Sequence, residues 1–201
     1  MYELGDCIVN EIPLTDIFTK RRSIRRFQQK KIPYSLVKEC VNTARLAPTA
    51  KNQQLLEFII VTKEDLRKTI FSHLHWAGYL PSWTPNKKEQ PMAYIIIALK
   101  KTDDLLYRYD VGIALAHIVL YAEAHNVGSC ILKNIDYKEI EHVLNLSEEF
   151  MVDTVVALGY KKENPVVETD EHQKKYWLDE NNVLHVPKRP LPSVLHDQTF
   201  S

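Results

Sequence analysis

An arginine-rich segment near the start of the chain reads Arg21-Arg22-Ser23-Ile24-Arg25-Arg26-Phe27. It follows a short helix predicted from the helical spacing of Leu14, Ile17 and Phe18. Arginine forks bind phosphate oxygens through paired hydrogen bonds, and Ser23 can add one more donor. Basic residues are also common at helix C-termini, where each contributes about 0.3–1 kcal/mol. Taken alone, the segment is compatible with a phosphate site and with an ordinary helix end.

A second segment, Ala47-Pro48-Thr49-Ala50-Lys51-Asn52-Gln53-Gln54, follows one amphipathic helix. Pro33 opens this helix, because proline is tolerated in a first turn, and Pro48 ends its apolar stripe. Further along, residues 110–126 predict an alanine-rich helix that is apolar on nearly every face, enclosed by protein and stopped by Gly128.

Three continuous apolar runs, residues 58–61, 93–99 and 152–158, predict buried strands. A helix capped by Thr62 and Asp65 is predicted after the first run, and Asp136 with Glu139 resembles a capping box for another helix through residue 144. Residues 78–91 predict an irregular loop beside a site. Helices and strands are therefore interspersed along the chain.

The last part of the chain, after Pro165, predicts an extended arm over about residues 166–201. Residues 179–182 predict a turn between two short extended pieces. Residues 186–195 contain three prolines, which argues against a central strand or a regular helix there.

The composition argues against several classes of binding partner. The 201 residues contain 26 basic and 26 acidic side chains, so no strong field attracts nucleic acid or anionic lipid. No apolar run is long enough for a membrane helix and no leader segment is visible, which predicts a cytoplasmic protein without membrane contact. The three cysteines lie far apart, and Cys40 and Cys130 are expected to be small buried hydrophobes.

The sequence lacks the motifs of several common classes of functional site. The five glycines form neither a dinucleotide-binding fingerprint nor the glycine-rich loop of an NTPase. His73 and His75 would share a side only in an extended segment, so no metal site is expected. No nucleophile elbow supports hydrolase chemistry.

Taken together, residues 21–27 and 47–54 resemble the paired signature of the nitroreductase-like FMN-dependent oxidoreductases. Residues 110–114, 126–130 and 157–160 match further family segments in the right order. The resemblance covers nearly the whole chain from Leu14 to about Leu195. It implies one FMN-binding nitroreductase-like domain over residues 1–201, with an α+β fold in which helices flank a mixed central sheet. It also implies an intertwined homodimer with two FMN sites built from both subunits.

By the same resemblance, the basic segment would hold the flavin phosphate, and the segment around Thr49 would come from the other subunit. The late cations would add to the phosphate site, and the residues after Cys130 would lie by the flavin N5. No catalytic side chain is expected, since the flavin performs the redox step. The cofactor-binding residues implied are Arg21, Arg22, Ser23, Arg25, Pro48, Thr49, Ala50, Asn52, Gln54, Leu132, Lys133, Asn134, Lys188 and Arg189.

Two departures from the family pattern matter. A glycine or an acidic residue is usual where Lys133 stands, so either its cation lies near the flavin or the side chain points to solvent. The segment between Thr62 and Asp110 is short for the family, which leaves the acceptor pocket open. Trp76, Tyr79 and Trp83 are candidates to line it, although aromatic side chains near a loop are as often simple packing.

The implied function is ping-pong hydride transfer from NADH or NADPH, through FMN, to a nitroaromatic, a quinone or a similar small acceptor. One alternative is a related flavoenzyme with a narrow substrate, such as a dehydrogenase or a reductive dehalogenase. Another is a non-catalytic FMN-binding or nucleotide-binding module, or an RNA contact made by residues 21–26.

Overall fold

The computed structural model describes residues 13–80 and 82–199. Five α-helices, seven strands and two 3-10 turns alternate along this part of the chain. The helices are α1 (Leu14–Lys20), α2 (Tyr34–Ala44), α3 (Glu64–Ser72), α4 (Tyr107–Ala124) and α5 (Tyr137–Val143). The strands are β1 (Leu56–Val61), β2 (Ala93–Lys100), β3 (Val127–Leu132), β4 (Phe150–Tyr160), β5 (Val166–Thr169), β6 (Trp177–Leu178) and β7 (Leu184–Lys188).

The central sheet has the strand order β1-β2-β4-β3, and each neighbouring pair is antiparallel. Alternate residues of β2 enter two different apolar clusters. Tyr94 and Ile96 pack with Ile70 of α3 and Ile140 of α5, whereas Ile95 and Ile97 pack with residues of α2 and α4. The three predicted strands are confirmed, and so is the α+β class with helices on both faces of the sheet.

In the part of the chain that the structure describes, parallel pairing occurs in two places. Ser23 forms an isolated parallel bridge to Ser129 at the β3 edge of the central sheet. The second sheet, with the order β5-β7-β6, pairs β5 with β7 in parallel and β6 with β7 antiparallel. The expected mixed pairing of the central sheet is therefore limited, in the described part of the chain, to this single bridge.

Helices α1 and α2 lie where the sequence predicts them, and Pro33 directly precedes α2. At three other helix ends, the residues predicted as caps or stops do not act as expected. The cap position of α3 is Lys63, without a side-chain cap bond. Asp136 occupies the predicted cap position of α5 but makes no side-chain cap bond, and its carboxylate contacts two histidines instead. Gly128 lies inside β3; α4 ends at Ala124, and Asn126, with a φ of 58°, then turns the backbone toward β3.

Helix α4 is only partly enclosed. Its residues Val111, Ala114 and Ile118 are buried against the sheet. On another face, Tyr109 is 71% exposed and Ile113 is 36% exposed. Within a single chain, protein therefore does not surround α4 completely, and part of its apolar surface is exposed.

The arm is folded into the second sheet. Asp179 and Val183 close the predicted turn between β6 and β7, which is confirmed. The expectation that the prolines keep residues 186–195 out of a central strand is wrong for β7, which contains Pro187 between β5 and β6. Only Leu184 and His185 of β7 pair with β6, so Pro187 needs no N–H on that side.

Two of the three cysteines lie within the described residues. Cys40 and Cys130 are both buried, as predicted, and burial raises the pKa of the Cys130 thiol to about 11. Cys7 lies outside the described residues. None of the helices in the described ranges has the length and apolar character needed to cross a bilayer.

Candidate functional site

The basic turn, defined here as residues 21–27, is held against the ends of β3 and β4. The N–H of Ile24 donates to Ser129 O at 2.8 Å, and the N–H of Gln28 donates to Tyr160 O at 2.8 Å. Ile24 and Phe27 point into the core and are buried. The turn is therefore an extra edge segment of the central sheet.

Two paired glycines make room for the basic turn. Gly128 of β3 and Gly159 of β4 lie opposite each other in the sheet. A Cβ at Gly128 would lie 2.8 Å from Ile24, and one at Gly159 would lie 2.6 Å from Phe27. Both separations are well inside van der Waals contact, so only glycine allows this approach.

The guanidinium of Arg25 lies 4.9 Å from the centre of the Tyr176 ring, a cation–π contact with the arm. Its Nε is buried and has no hydrogen-bond partner among the described residues. A buried N–H without a partner costs about 1–3 kcal/mol, which an added acceptor would recover. Arg25 is therefore suited to binding an anion.

Arg22 has a different role. One of its terminal nitrogens donates to Thr19 O at 2.7 Å and the other to Arg21 O, so it closes the end of α1. Burial, with the neighbouring Arg21, lowers the pKa of Arg22. Its Nε is also buried without a partner in the described structure. Arg22 therefore closes a helix end, which is one of the two roles predicted for the basic segment. Its Nε–H, without a partner in the described structure, can still donate to another acceptor.

Arg26 is turned toward the loop before β2. It donates to Glu89 Oε1 at 2.8 Å, and Lys162 Nζ lies 3.1 Å from the same oxygen. Glu89 is only 5% exposed, and its hydrogen bond to Arg26 lowers its pKa. This ion cluster ties the loop to the basic turn.

The second predicted segment, residues 48–54, forms a loop against the first turn of α4. Ala50 N–H donates to Asp110 Oδ1 at 2.8 Å, and Gln54 N–H donates to Thr49 Oγ1 at 3.3 Å. Lys51, Asn52 and Gln54 all have φ between 51° and 54°. The left-handed region is unfavourable for lysine and glutamine, so these contacts hold a strained backbone.

Lys133 lies directly after β3, and its side chain points partly to solvent while its amine pairs with an acid. Its Nζ lies 2.9 Å from Asp153 Oδ2, while its side chain is 55% exposed. Asp153 is buried and also accepts from Thr154 Oγ1 at 2.5 Å. The cation is therefore compensated by a carboxylate from β4. Leu132 is buried beside it, and Asn134 O accepts from His75 N–H at 3.0 Å.

The late cations are exposed on the arm. Arg189 contacts Glu171 at 3.2 Å and the backbone oxygen of Ser193, and Lys188 ends β7.

The predicted cofactor-binding residues line separate cavities in one chain. Arg22 lines one of about 780 Å³, Thr49 and Gln54 one of about 210 Å³, and Lys133 one of about 420 Å³.

Comparison with known proteins gives the family. The family model described as Nitroreductase family matches residues 18–160. The chain belongs to the nitroreductase family.

Relatives within and around the nitroreductase family carry different activities in their names. An iodotyrosine deiodinase of Thermotoga neapolitana is 26% identical, over 73% of this chain and 88% of the relative. A putative NADH dehydrogenase/NAD(P)H nitroreductase of Archaeoglobus fulgidus is 28% identical, over 71% and 82%. The solved structure of an FMN-dependent nitroreductase from Clostridium difficile R20291 has a TM-score of 0.68 and 22% identity, covering 92% of this chain and 99% of that one.

The three aromatic candidates of this nitroreductase-family chain have different surroundings. Trp76 is buried in the core, 5.9 Å from the Phe71 ring. Tyr79 is 53% exposed and packs edge-on against Tyr176, with ring centres 5.1 Å apart. Trp83 lines a cavity of about 260 Å³ together with Arg26. Tyr79 and Trp83 therefore lie on the side of the basic turn, and Trp76 contributes packing.

Four residues of this arrangement were missed as site residues. Asp110 and Asp153 hold the Thr49 loop and Lys133, and Tyr176 and Glu163 contact the basic turn. Asp110 belongs to the family segment at residues 110–114, so an acid at the start of an apolar helix was a signal that could have identified it. The other three depend on contacts between distant segments, which no local pattern reveals.

Proposed function

We propose that this chain is an FMN-dependent NAD(P)H oxidoreductase that reduces a nitroaromatic, a quinone or a similar acceptor. The observation that carries the proposal is the basic turn. It is hydrogen-bonded to the sheet where two glycines make room for it, and it presents the buried Nε of Arg25, which has no hydrogen-bond partner among the described residues. Belonging to the nitroreductase family supports the same assignment.

The residues fit the phosphate of FMN on chemical grounds. A phosphate monoester carries nearly two negative charges at neutral pH, and its oxygens accept charge-assisted hydrogen bonds from guanidinium groups. We propose that Arg21, Ser23 and Arg25 hold the phosphate and that the Nε of Arg22, which has no partner within the described part of the chain, adds a weaker contact. Arg26 is already paired with Glu89 and is left out.

When bound, FMN supplies hydride transfer from NAD(P)H to the acceptor in two half-reactions, so no acid, base or nucleophile from the chain is required. The chain's own residues position and shield the cofactor. The strained loop carrying Pro48, Thr49, Ala50, Asn52 and Gln54 would face the flavin from the partner subunit.

Further contacts complete the proposed site. Leu132, Lys133 and Asn134 would lie along the flavin edge, with Asp153 compensating the Lys133 charge. Lys188 and Arg189 would approach the phosphate once Arg189 releases Glu171.

Homodimerisation is part of this proposal, with residues 1–201 as one domain and the arm reaching the partner. Leu105, Leu106 and Tyr109 expose 62%, 41% and 71% of their surface around the start of α4. Within the described ranges, β1 also ends the central sheet with one side unpaired. Exposed apolar surface and an open sheet edge both favour a second copy as the partner. Light scattering after gel filtration should give twice the mass of the 23.4 kDa chain.

The visible spectrum of the purified protein tests the cofactor directly. One FMN per chain, bound at or below micromolar concentration, and steady NAD(P)H oxidation with a quinone or nitroaromatic are the expected results. Parallel double-reciprocal plots would show the two half-reactions. Protein that gains no flavin on incubation with FMN and oxidises no NAD(P)H contradicts the proposal.

Reductive dehalogenation is a second candidate, because the Thermotoga relative is named an iodotyrosine deiodinase. Anaerobic assays should compare an iodotyrosine with a quinone and a nitroaromatic, using the same pre-reduced protein. Fast release of iodide with slow turnover of the other two acceptors would favour this candidate over the first.

A further inference from the structure

Glu163 follows β4 and turns its carboxylate back toward the basic turn. Its Oε1 accepts the backbone N–H of Arg25 and also that of Arg26, the latter at 3.2 Å. The N–H groups of Ile24 and Phe27, on either side, donate to Ser129 O and Glu89 O. Four consecutive amides are thus satisfied, and the two at the centre depend on one side chain.

Two neighbouring N–H groups that converge on one oxygen form an anion-binding concavity of the backbone. Here the anion is supplied by the chain itself. Because these amides belong to Arg25 and Arg26, fixing them also fixes the direction in which both side chains leave the backbone. Arg25 then lies over Tyr176, and Arg26 reaches Glu89.

We propose that Glu163 is a positioning residue for the cofactor phosphate: its carboxylate oxygen locks the Arg25 and Arg26 amides so that the Arg25 guanidinium faces the anion. The inference rests on the proposed binding of FMN and adds a residue outside the predicted cofactor set.

The charge of Glu163 opposes its positioning role. Burial raises the pKa of Glu163, whereas the two amide bonds and the nearby arginines lower it. A carboxylate close to a phosphate site repels the ligand, so removing only the charge should leave FMN binding equal or tighter. Removing the acceptor oxygen should weaken binding. The two effects have opposite signs and can be separated by substitution.

The experiment compares Glu163→Ala with Glu163→Gln in the full chain, using quenching of flavin fluorescence to measure Kd. Alanine removes both the acceptor and the charge, whereas glutamine keeps an acceptor oxygen. Glu148→Ala, at an exposed glutamate, is the matched control. Riboflavin, which lacks the phosphate, is the second ligand.

The expected result is a rise of about tenfold or more in the FMN Kd of Glu163→Ala, the scale of one lost charge-assisted contact. The Kd of Glu163→Ala for riboflavin should stay within about threefold of the wild-type value. Glu163→Gln and the control should bind FMN as well as the wild type or better. Amide hydrogen exchange at Arg25 and Arg26 should accelerate in the alanine variant alone.

Three outcomes overturn the inference and can be told apart. If wild type binds FMN and Glu163→Ala binds it equally well or more tightly, the positioning role is wrong while the proposed function stands. If wild type shows no preference for FMN over riboflavin, the phosphate site itself is wrong. Equal losses for FMN and riboflavin in Glu163→Ala would also overturn it, since they indicate general destabilisation.

Discussion

Gly159→Ala tests whether the glycine pair seats the basic turn. The new Cβ would lie 2.6 Å from Phe27 Cδ1 and 2.8 Å from its Cβ and Cγ. Carbon atoms pack best at about 3.5–4.0 Å, so the ring must move by about 1 Å. Phe27 is fully buried, and its N–H is bonded to Glu89 O, so neither the ring nor the backbone can move freely.

Overpacking of this kind costs about 1–3 kcal/mol. For a chain of this size each kcal/mol lowers Tm by about 2–4 °C, so a fall of about 2–12 °C is expected. Urea unfolding should show a lower midpoint with an unchanged slope. The matched control is Gly78→Ala, where a Cβ meets nothing within 4 Å and the change should stay within about 0.5 kcal/mol.

A double-mutant cycle with Phe27→Ala separates the clash from other effects of the substitution. In that background Gly159→Ala should cost less, though not nothing, because the Cβ of residue 27 is itself 2.8 Å away. Gly159→Ala with the same midpoint as Gly78→Ala, or an equal cost in both backgrounds, would refute the argument that the glycine accommodates Phe27.

Three further predictions concern individual charged groups. Arg25→Ala should raise the FMN Kd by about 10- to 150-fold, the range of a hydrogen bond to a charged group, while Lys63→Ala at an exposed site should not; an unchanged Kd would remove Arg25 from the phosphate site. Lys133→Met leaves the buried Asp153 with Thr154 alone and should cost about 1–3 kcal/mol in urea unfolding, and Asp153→Asn in the same chain should restore much of the loss. His185 has its pKa raised by Glu168 first and by Asp179 second, so its stabilisation of the arm is complete below about pH 6.5 and disappears as the pH rises through the raised pKa. Near-UV circular dichroism of Trp177, whose ring stacks on His185 at 5.0 Å, should follow that change, and a pH profile identical in His185→Gln would contradict it.

Three of the four strands of the central sheet were predicted, because burial on both faces of a strand leaves a continuous apolar run; the edge strand β3 was not among them. Residues 93–99 are such a run, and β2 lies there. Predicted caps at helix ends were less reliable, because a polar side chain there can bond to groups other than the N–H groups of its helix. Asp136 resembled a cap, but its oxygens contact His75 at 2.9 Å and His73 at 3.4 Å, two residues that only the folded chain brings near it.

The candidate site was predicted in the same uneven way. Arg25 was predicted from local sequence, and its buried Nε, which has no partner in residues 13–80 and 82–199, agrees with an anion-binding role. The partners that orient the site residues, such as Asp153 for Lys133 and Glu163 for Arg25, were not predictable. They lie 20 and 138 residues away, and tertiary packing alone chooses them among the acidic side chains.

The loop held by Asp110 has a thermodynamic consequence for association. Lys51, Asn52 and Gln54 already occupy left-handed backbone conformations, and Ala50 is bonded to α4. Conformational entropy for this segment is therefore lost during folding, before any ligand or second subunit arrives. A surface prepared in this manner binds with little further ordering, so most of its interaction energy remains available as affinity.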